Sequence, residues 1–183
     1  MTKNETKSNK SITGNQSKQI KYLTSSAVLA ALITVMTAYI CHIPVGANGG
    51  YIHFGDSLIY IAAVILPTPY ALATAAIGGG LADLLTAPMW APATIVIKML
   101  ITIPFSNKSA KIVTWRNVIA TVIAFVISGV GYYFAEALIF GTKAAFLTSM
   151  SGSVVQSGGS AVIFVILGIA LDKIGFKRRI FGE

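Results

Sequence analysis

Charge is scarce in this sequence. Asp, Glu, Lys and Arg make up 11% of its 183 residues, where an ordinary soluble domain carries about 25%. With 55% hydrophobic residues and a mean hydropathy of +0.74, too little polar surface remains to coat a particle in water. Lipid is therefore the expected solvent for most of the chain. Cysteine is nearly absent too. Cys41 stands alone, which excludes an internal disulfide, and the bulky Ile40 before it does not suit a lipoprotein cysteine. Histidine is limited to His42 and His53, which gives no metal-binding spacing and no base for a nucleophile on a later helix. Gly78-Gly79-Gly80 lacks the Lys-Ser/Thr that a phosphate loop needs and lies in an apolar stretch. No enzyme, metal or cofactor is expected.

The charge that is present sits at defined places. Of 14 Lys and Arg, five precede Tyr22, four follow Leu171, and Lys108, Lys111 and Arg116 form a central cluster. This placement fits cytoplasmic anchoring beside anionic lipid, so a net charge of +8 does not point to nucleic acid. Met1–Lys21 is polar and reads as a disordered cytoplasmic tail. Residues 22–172 read as a transmembrane domain, and 173–183 as a basic cytoplasmic tail. The apolar run after Lys21 exceeds a signal-peptide core and lacks a small-x-small cleavage site, so it is expected to be a retained span.

Apolar segments at roughly 23–41, 57–66, 70–87, 91–105, 117–140 and 150–171 predict an all-α membrane protein. Crossing the hydrocarbon takes about 20 helical residues; the first, fifth and sixth segments qualify directly. If the three basic clusters share one side, an even number of spans separates each pair. Turn signals at Pro44–Gly50, Pro67–Pro69 and Pro88–Pro92 favour four spans before Lys108, and two follow Arg116. The expectation is six transmembrane helices with both termini cytoplasmic. The loops around 42–55, 88–90 and 141–149 then lie outside and hold one basic residue, Lys143.

Five polar residues fall at a similar depth in different segments. Asp56 opens the second segment, Asp83 lies five residues before Pro88, and Lys98 lies six after Pro92. Glu136 lies five residues before Gly141, and Gln156 is a few residues into the last segment, on a face with Gly152 and Ser160. An unpaired charge at a helix centre costs about 2.5–3.5 kcal/mol on insertion scales. Several at one depth imply mutual pairing, a hydrated pocket, or both. Asp83 and Lys98 fit either an ion pair bracing their hairpin or direct ligand contact. Asp56 fits a helix cap. Glu136 and Gln156 fit helix–helix bonding or pocket donors. The first outer loop, His42 to His53, is glycine-rich and aromatic and suits a lid. Trp90 fits a ligand stack or the interfacial aromatic belt.

Small residues recur at helical spacing on two segments. Ala27 and Ala31 lie on the first, and Ala71, Ala75 and Gly79 on the third, with Asp83 continuing that face. Such faces permit close backbone approach in lipid. They serve either packing within the bundle or docking of another membrane subunit.

His53-Phe-Gly-Asp56, Gly78-Gly-Gly-Leu-Ala-Asp83-Leu-Leu and Trp90-Ala-Pro-Ala-Thr94-Ile-Val-Ile-Lys98, in this order, resemble the substrate-binding S components of energy-coupling factor (ECF) vitamin transporters over roughly residues 22–180. The resemblance implies a plasma-membrane binding subunit for a vitamin or precursor. Its partners would be a transmembrane coupling subunit and two ATP-binding-cassette ATPases, and it would topple in the membrane to deliver its load. Ala27 and Ala31 look like the family's docking motif. Substrate contacts are expected from Asn48, Tyr51, Lys98, Tyr132, Glu136, Gln156 and Ser160, while His53, Asp56, Asp83 and Trp90 are expected to be structural or gating. The acid, amide and aromatic set suggests a small heteroaromatic ligand such as hydroxymethylpyrimidine or a vitamin B6 form. The alternatives are an autonomous homo-oligomeric transporter and a structural or assembly subunit.

Overall fold

A computed structural model describes residues 3–40, 43–45 and 50–182, with side chains described for 15–40, 43, 53–141 and 153–182. Seven α-helices and one short hairpin appear among these residues. They are α1 (Lys3–Ala38), β1 (Ile43–Val45), β2 (Gly50–Ile52), α2 (Asp56–Ile65), α3 (Thr68–Thr86), α4 (Ala91–Thr102), α5 (Trp115–Phe140), α6 (Thr142–Lys173) and α7 (Phe176–Phe181). Each of the six apolar segments forms a helix. The antiparallel hairpin pairs Ile43 with Ile52, Pro44 with Tyr51 and Val45 with Gly50, so a two-stranded ribbon stands between α1 and α2.

Two expectations need correction. The segment read as a disordered tail is helical from Lys3. Once the apolar part of α1 has nucleated, Lys, Gln and Glu carry the helix outward, since propagation is far easier than nucleation. The connection expected over 141–149 contracts to Gly141, whose φ of 95° turns the chain directly from α5 into α6. Glycine adopts that conformation without a Cβ penalty.

Three of the described helices contain stretches long and apolar enough to cross a membrane: Asn15–Ala38, Trp115–Phe140 and Ser153–Lys173. Their outer faces carry large apolar side chains such as Val122, Val126, Phe134, Val162 and Ile166, all exposed. In water such surface would drive association; in lipid it is the solvent-facing surface. Helix α2 is different. It has only ten residues, and nine of them are buried, so it is a core helix enclosed by its neighbours rather than a lipid-facing rod. Ile59, Tyr60, Val64 and Leu66 join Ile33, Ile97, Ile101 and Phe164 in the apolar core.

Helix α3 is where glycine matters most for packing. A Cβ at Gly78 would stand 2.8 Å from the Ile33 side chain of α1; at Gly79, 2.8 Å from Lys98 of α4; and at Gly80, 2.6 Å from Ile95 of α4. Three successive glycines thus let α3 sit close against two helices at once. At the other end of the bundle, α7 folds back so that Phe181 stacks on Tyr22 of α1 at 5.2 Å.

Candidate functional site

The polar residues expected at one depth include three that touch. Asp56 is fully buried at the start of α2, and its Oδ1 lies 2.6 Å from Lys98 Nζ of α4. Its Oδ2 accepts a hydrogen bond of 3.1 Å from Gln156 Nε2 of α6. One carboxylate therefore ties three helices together. Gly55 occupies the cap position of α2, and Asp56 is the acid in its first turn. Its carboxylate also serves this three-helix bond.

For Asp83 and Lys98 an ion pair or ligand contact was expected; the short ion pair of Lys98 is with Asp56. The cause lies in α3: the Lys98 stem packs on Gly79, where no side chain stands in its way. The lysine passes across α3 and delivers its ammonium to α2. Asp83 is buried in α3, 5% exposed.

An aromatic group adjoins this ion pair. Lys98 Nζ lies 5.3 Å from the Tyr132 ring centroid, a distance at which the cation is attracted to the ring face. The Tyr132 hydroxyl bonds Thr94 Oγ1 at 3.0 Å. Trp90 stands against both Tyr132 (6.1 Å) and Phe140 (5.9 Å). Trp90 is 8% exposed, so it is packed inward rather than standing in an interfacial belt. Thr94 belongs to this group although sequence reasoning did not select it. Its spacing of four from Lys98 was the available signal, because i and i+4 share a helix face.

Helix α6 contributes Ser153, Gln156, Ser157 and Ser160, all buried. The hydroxyls of Ser157 and Ser160 have no protein partner, nor do those of Ser128 on α5 and Tyr60 on α2, or the Trp90 indole nitrogen. Ser157, Ser128 and Tyr60 were not among the expected site residues. Buried polar groups normally find partners, so these atoms are available donors and acceptors within the bundle. Phe54 packs where a side chain at Gly159 would stand, bringing the segment before α2 against α6. His53 turns back on its own loop, its Nδ1 accepting from the Gly55 amide at 3.0 Å. Glu136 is buried on α5.

Of the remaining expected residues, Asn48 lies outside the described residues, as do Cys41 and His42. Tyr51 is described through its backbone pairing with Pro44 alone. Among the described residues no cluster of His, Cys, Asp or Glu is arranged to hold a metal. Ala27 and Ala31 are exposed on α1, whereas Ala71 and Ala75 are buried on α3.

Comparison with known proteins bears on the whole arrangement. Residues 17–173 match a family model described as the ECF-type riboflavin transporter, S component. A protein of Pyrococcus woesei, described as an uncharacterized protein in the gap 3' region, is 27% identical over 147 residues, covering 75% of this chain and 93% of that protein.

Proposed function

We propose that this chain, which belongs to the family of ECF-type riboflavin transporter S components, captures riboflavin or a closely related flavin at the outer side of the membrane. As a member of that family it is a multi-pass membrane transport protein and not an enzyme. The observation that carries the ligand reading is the family match over residues 17–173, and the site chemistry is compatible with it. A flavin offers a flat aromatic system, a pyrimidinedione edge of alternating donors and acceptors, and a chain of hydroxyls. Trp90 and Tyr132 supply aromatic surface, Glu136 and Gln156 supply polar partners, and Ser157 and Ser160 supply hydroxyls without protein partners.

This reading replaces hydroxymethylpyrimidine or vitamin B6 as the expected substrate. The acid, amide and aromatic residue set suits any pyrimidine-like edge, and a flavin carries one. Residue chemistry alone therefore did not separate a one-ring ligand from a three-ring one.

In this proposal the basic segments face the cytoplasm, the domain of residues 22–172 crosses six times, and α1 presents Ala27 and Ala31 to a coupling subunit served by two ATPases. Exposure of both alanines supports that face as a docking surface. The experiment is a fluorescence titration of riboflavin with the purified protein, since flavin emission falls when the ring stacks on aromatic side chains. Saturable quenching that pyridoxine and hydroxymethylpyrimidine fail to compete supports the reading. Displacement by either small ring at comparable concentration would overturn it. Orientation is tested separately in a Cys41→Ala background: Ser109→Cys should resist an impermeant thiol reagent in intact cells, and Thr142→Cys should react.

A further inference from the structure

Lys98, Asp56 and Gln156 form a chain in which each hydrogen bond dictates the next. The Lys98 ammonium has only protons to give, and it takes Asp56 Oδ1 at 2.6 Å. The carboxylate in turn has only lone pairs to offer. Its Oδ2 can therefore be met by Gln156 through nitrogen alone, as it is at 3.1 Å. A half-turn of the last torsion exchanges the nitrogen and oxygen of an amide at almost no change in shape. Here that half-turn would set a carbonyl against a carboxylate. The sense of the Gln156 amide is thus fixed from α4 by way of α2, with nitrogen toward Asp56 and Oε1 turned away.

Gln156 is also where this chain of three opens. It is 7% exposed, against 0% for Asp56 and 1% for Lys98, and its Oε1 takes no hydrogen bond from the described residues. Ser160 shares its helix face at a spacing of four, and the Ser160 hydroxyl has no protein partner. Lys98 lies 5.3 Å from the Tyr132 ring. Aromatic surface and unused polar atoms therefore adjoin the same three residues.

We propose that Asp56 is a positioning residue for ligand recognition: it holds Gln156 so that a carbonyl acceptor, flanked by the second amide proton, faces the ligand. The class of ligand this selects is a flat heterocycle whose edge sets a ring N–H beside a carbonyl. A pyrimidinedione has that edge, in its N3–H and the carbonyl next to it. The inference rests on the flavin reading above and adds which atoms of the flavin are read. A ring nitrogen without a proton, or one carrying an alkyl group, would leave Oε1 without a donor. Asp56 acts through Gln156 without touching the ligand itself.

The test is a fluorescence titration of the purified full-length protein with riboflavin and with 3-methylriboflavin, which lacks the N3 proton. Wild type should bind the methyl compound roughly five- to 150-fold more weakly, the usual effect of one lost buried hydrogen bond. In Asp56→Asn, Lys98 keeps the side-chain oxygen, which leaves an NH₂ facing Gln156. The Gln156 amide must then turn over and present its own NH₂ to the ligand. Riboflavin should weaken, and the two flavins should bind alike. A merely structural Asp56 would weaken both equally and leave their ratio unchanged, which overturns the proposal. Lys98→Met with Asp56→Asn removes both charges together and frees the amide to take either sense, so its discrimination should also fall below that of wild type. This double variant carries the test should the single one fail to fold. Gln156→Met should lose the discrimination with the ion pair intact. Discrimination that persists there would belong to the bulk of the methyl group and would overturn the proposal. Equal binding of the two flavins by wild type sinks this inference alone, whereas no binding of riboflavin sinks the flavin reading and this inference with it.

Discussion

Among the described residues, two polar knots are built in opposite ways. Toward the basic end, Asp172 accepts from the backbone amides of Ile112 (2.7 Å) and Val113 (3.0 Å). Asn117 accepts from Ser106 N–H (3.0 Å) and donates to the carbonyls of Ser106 (3.1 Å) and Ile112 (3.0 Å). Lys177 donates to the carbonyls of Asn107 and Ser109. Every one of these side chains serves the backbone of one loop, between α4 and α5. In the other knot Asp56, Lys98 and Gln156 bond each other across three helices, close to residues whose hydroxyls have no protein partner. The first arrangement replaces the hydrogen bonds that a loop would otherwise take from water. The second fixes helices to one another at the level of the proposed binding site.

The sharpest way to break this contrast is to remove a charge from the second knot. Lys98→Met leaves Asp56 buried without its cation, and breaking a buried pair in this way costs about 3–5 kcal/mol. The melting temperature in detergent should fall further than for any other substitution considered, with or without flavin. Adding Asp56→Asn should recover part of the loss. A Lys98→Met protein that melts normally but binds flavin poorly would make the lysine a ligand group and not a brace.

Glu136→Gln tests the binding side of the contrast. Losing a buried hydrogen-bond partner costs about 1–3 kcal/mol, equivalent to roughly five- to 150-fold in affinity. Riboflavin titration should show that loss, and it should exceed any change in the ligand-free melting curve. Gln156→Leu should change both readouts, because Gln156 also holds Asp56. If neither variant changes affinity, these residues bond helices and do not touch the ligand.

Asp172→Ala probes the loop knot. Two amides lose a charged acceptor, but the site is only partly buried and water can replace some of it, so about 2 kcal/mol of stability should go. Flavin affinity should be unchanged, and a parallel loss of affinity would erase the distinction between the two knots. The smallest effect on the isolated protein is expected from Ala27→Leu with Ala31→Leu. Both sites are exposed, so stability should shift by less than about 0.5 kcal/mol, while co-purification with the coupling subunit should fail. Normal assembly of the double variant would remove α1 from the docking surface.

Much of the architecture was legible because hydrophobic runs and their breaks are local properties. All six apolar segments became helices, although the connection expected over 141–149 contracted to Gly141. The common depth of Asp56, Lys98 and Gln156 was legible as well, because helical rise converts residue number into height. Their partnership was not. Counting from nearby turns set Lys98 level with Asp83 and left an ion pair or a ligand open; it did not show that the lysine passes Gly79 and bonds Asp56 on α2. The burial of α2 was equally hidden, since a ten-residue apolar run reads the same whether its surroundings are lipid or protein.

The two small-residue faces show where sequence stops. Ala27 with Ala31, and Ala71 with Ala75 and Gly79, follow the same four-residue spacing, yet the first pair is exposed and the second set is buried. Composition and periodicity determined that the chain is helical and lipid-embedded, because these follow from the solvent each residue prefers and from the repeat of a single helix. Which small face closes the bundle and which stays open depends on how helices distant in sequence settle against one another. That choice, with the Asp56–Lys98 pairing that accompanies it, was made only by tertiary packing, because close backbone approach needs a second helix and a spacing pattern does not name one.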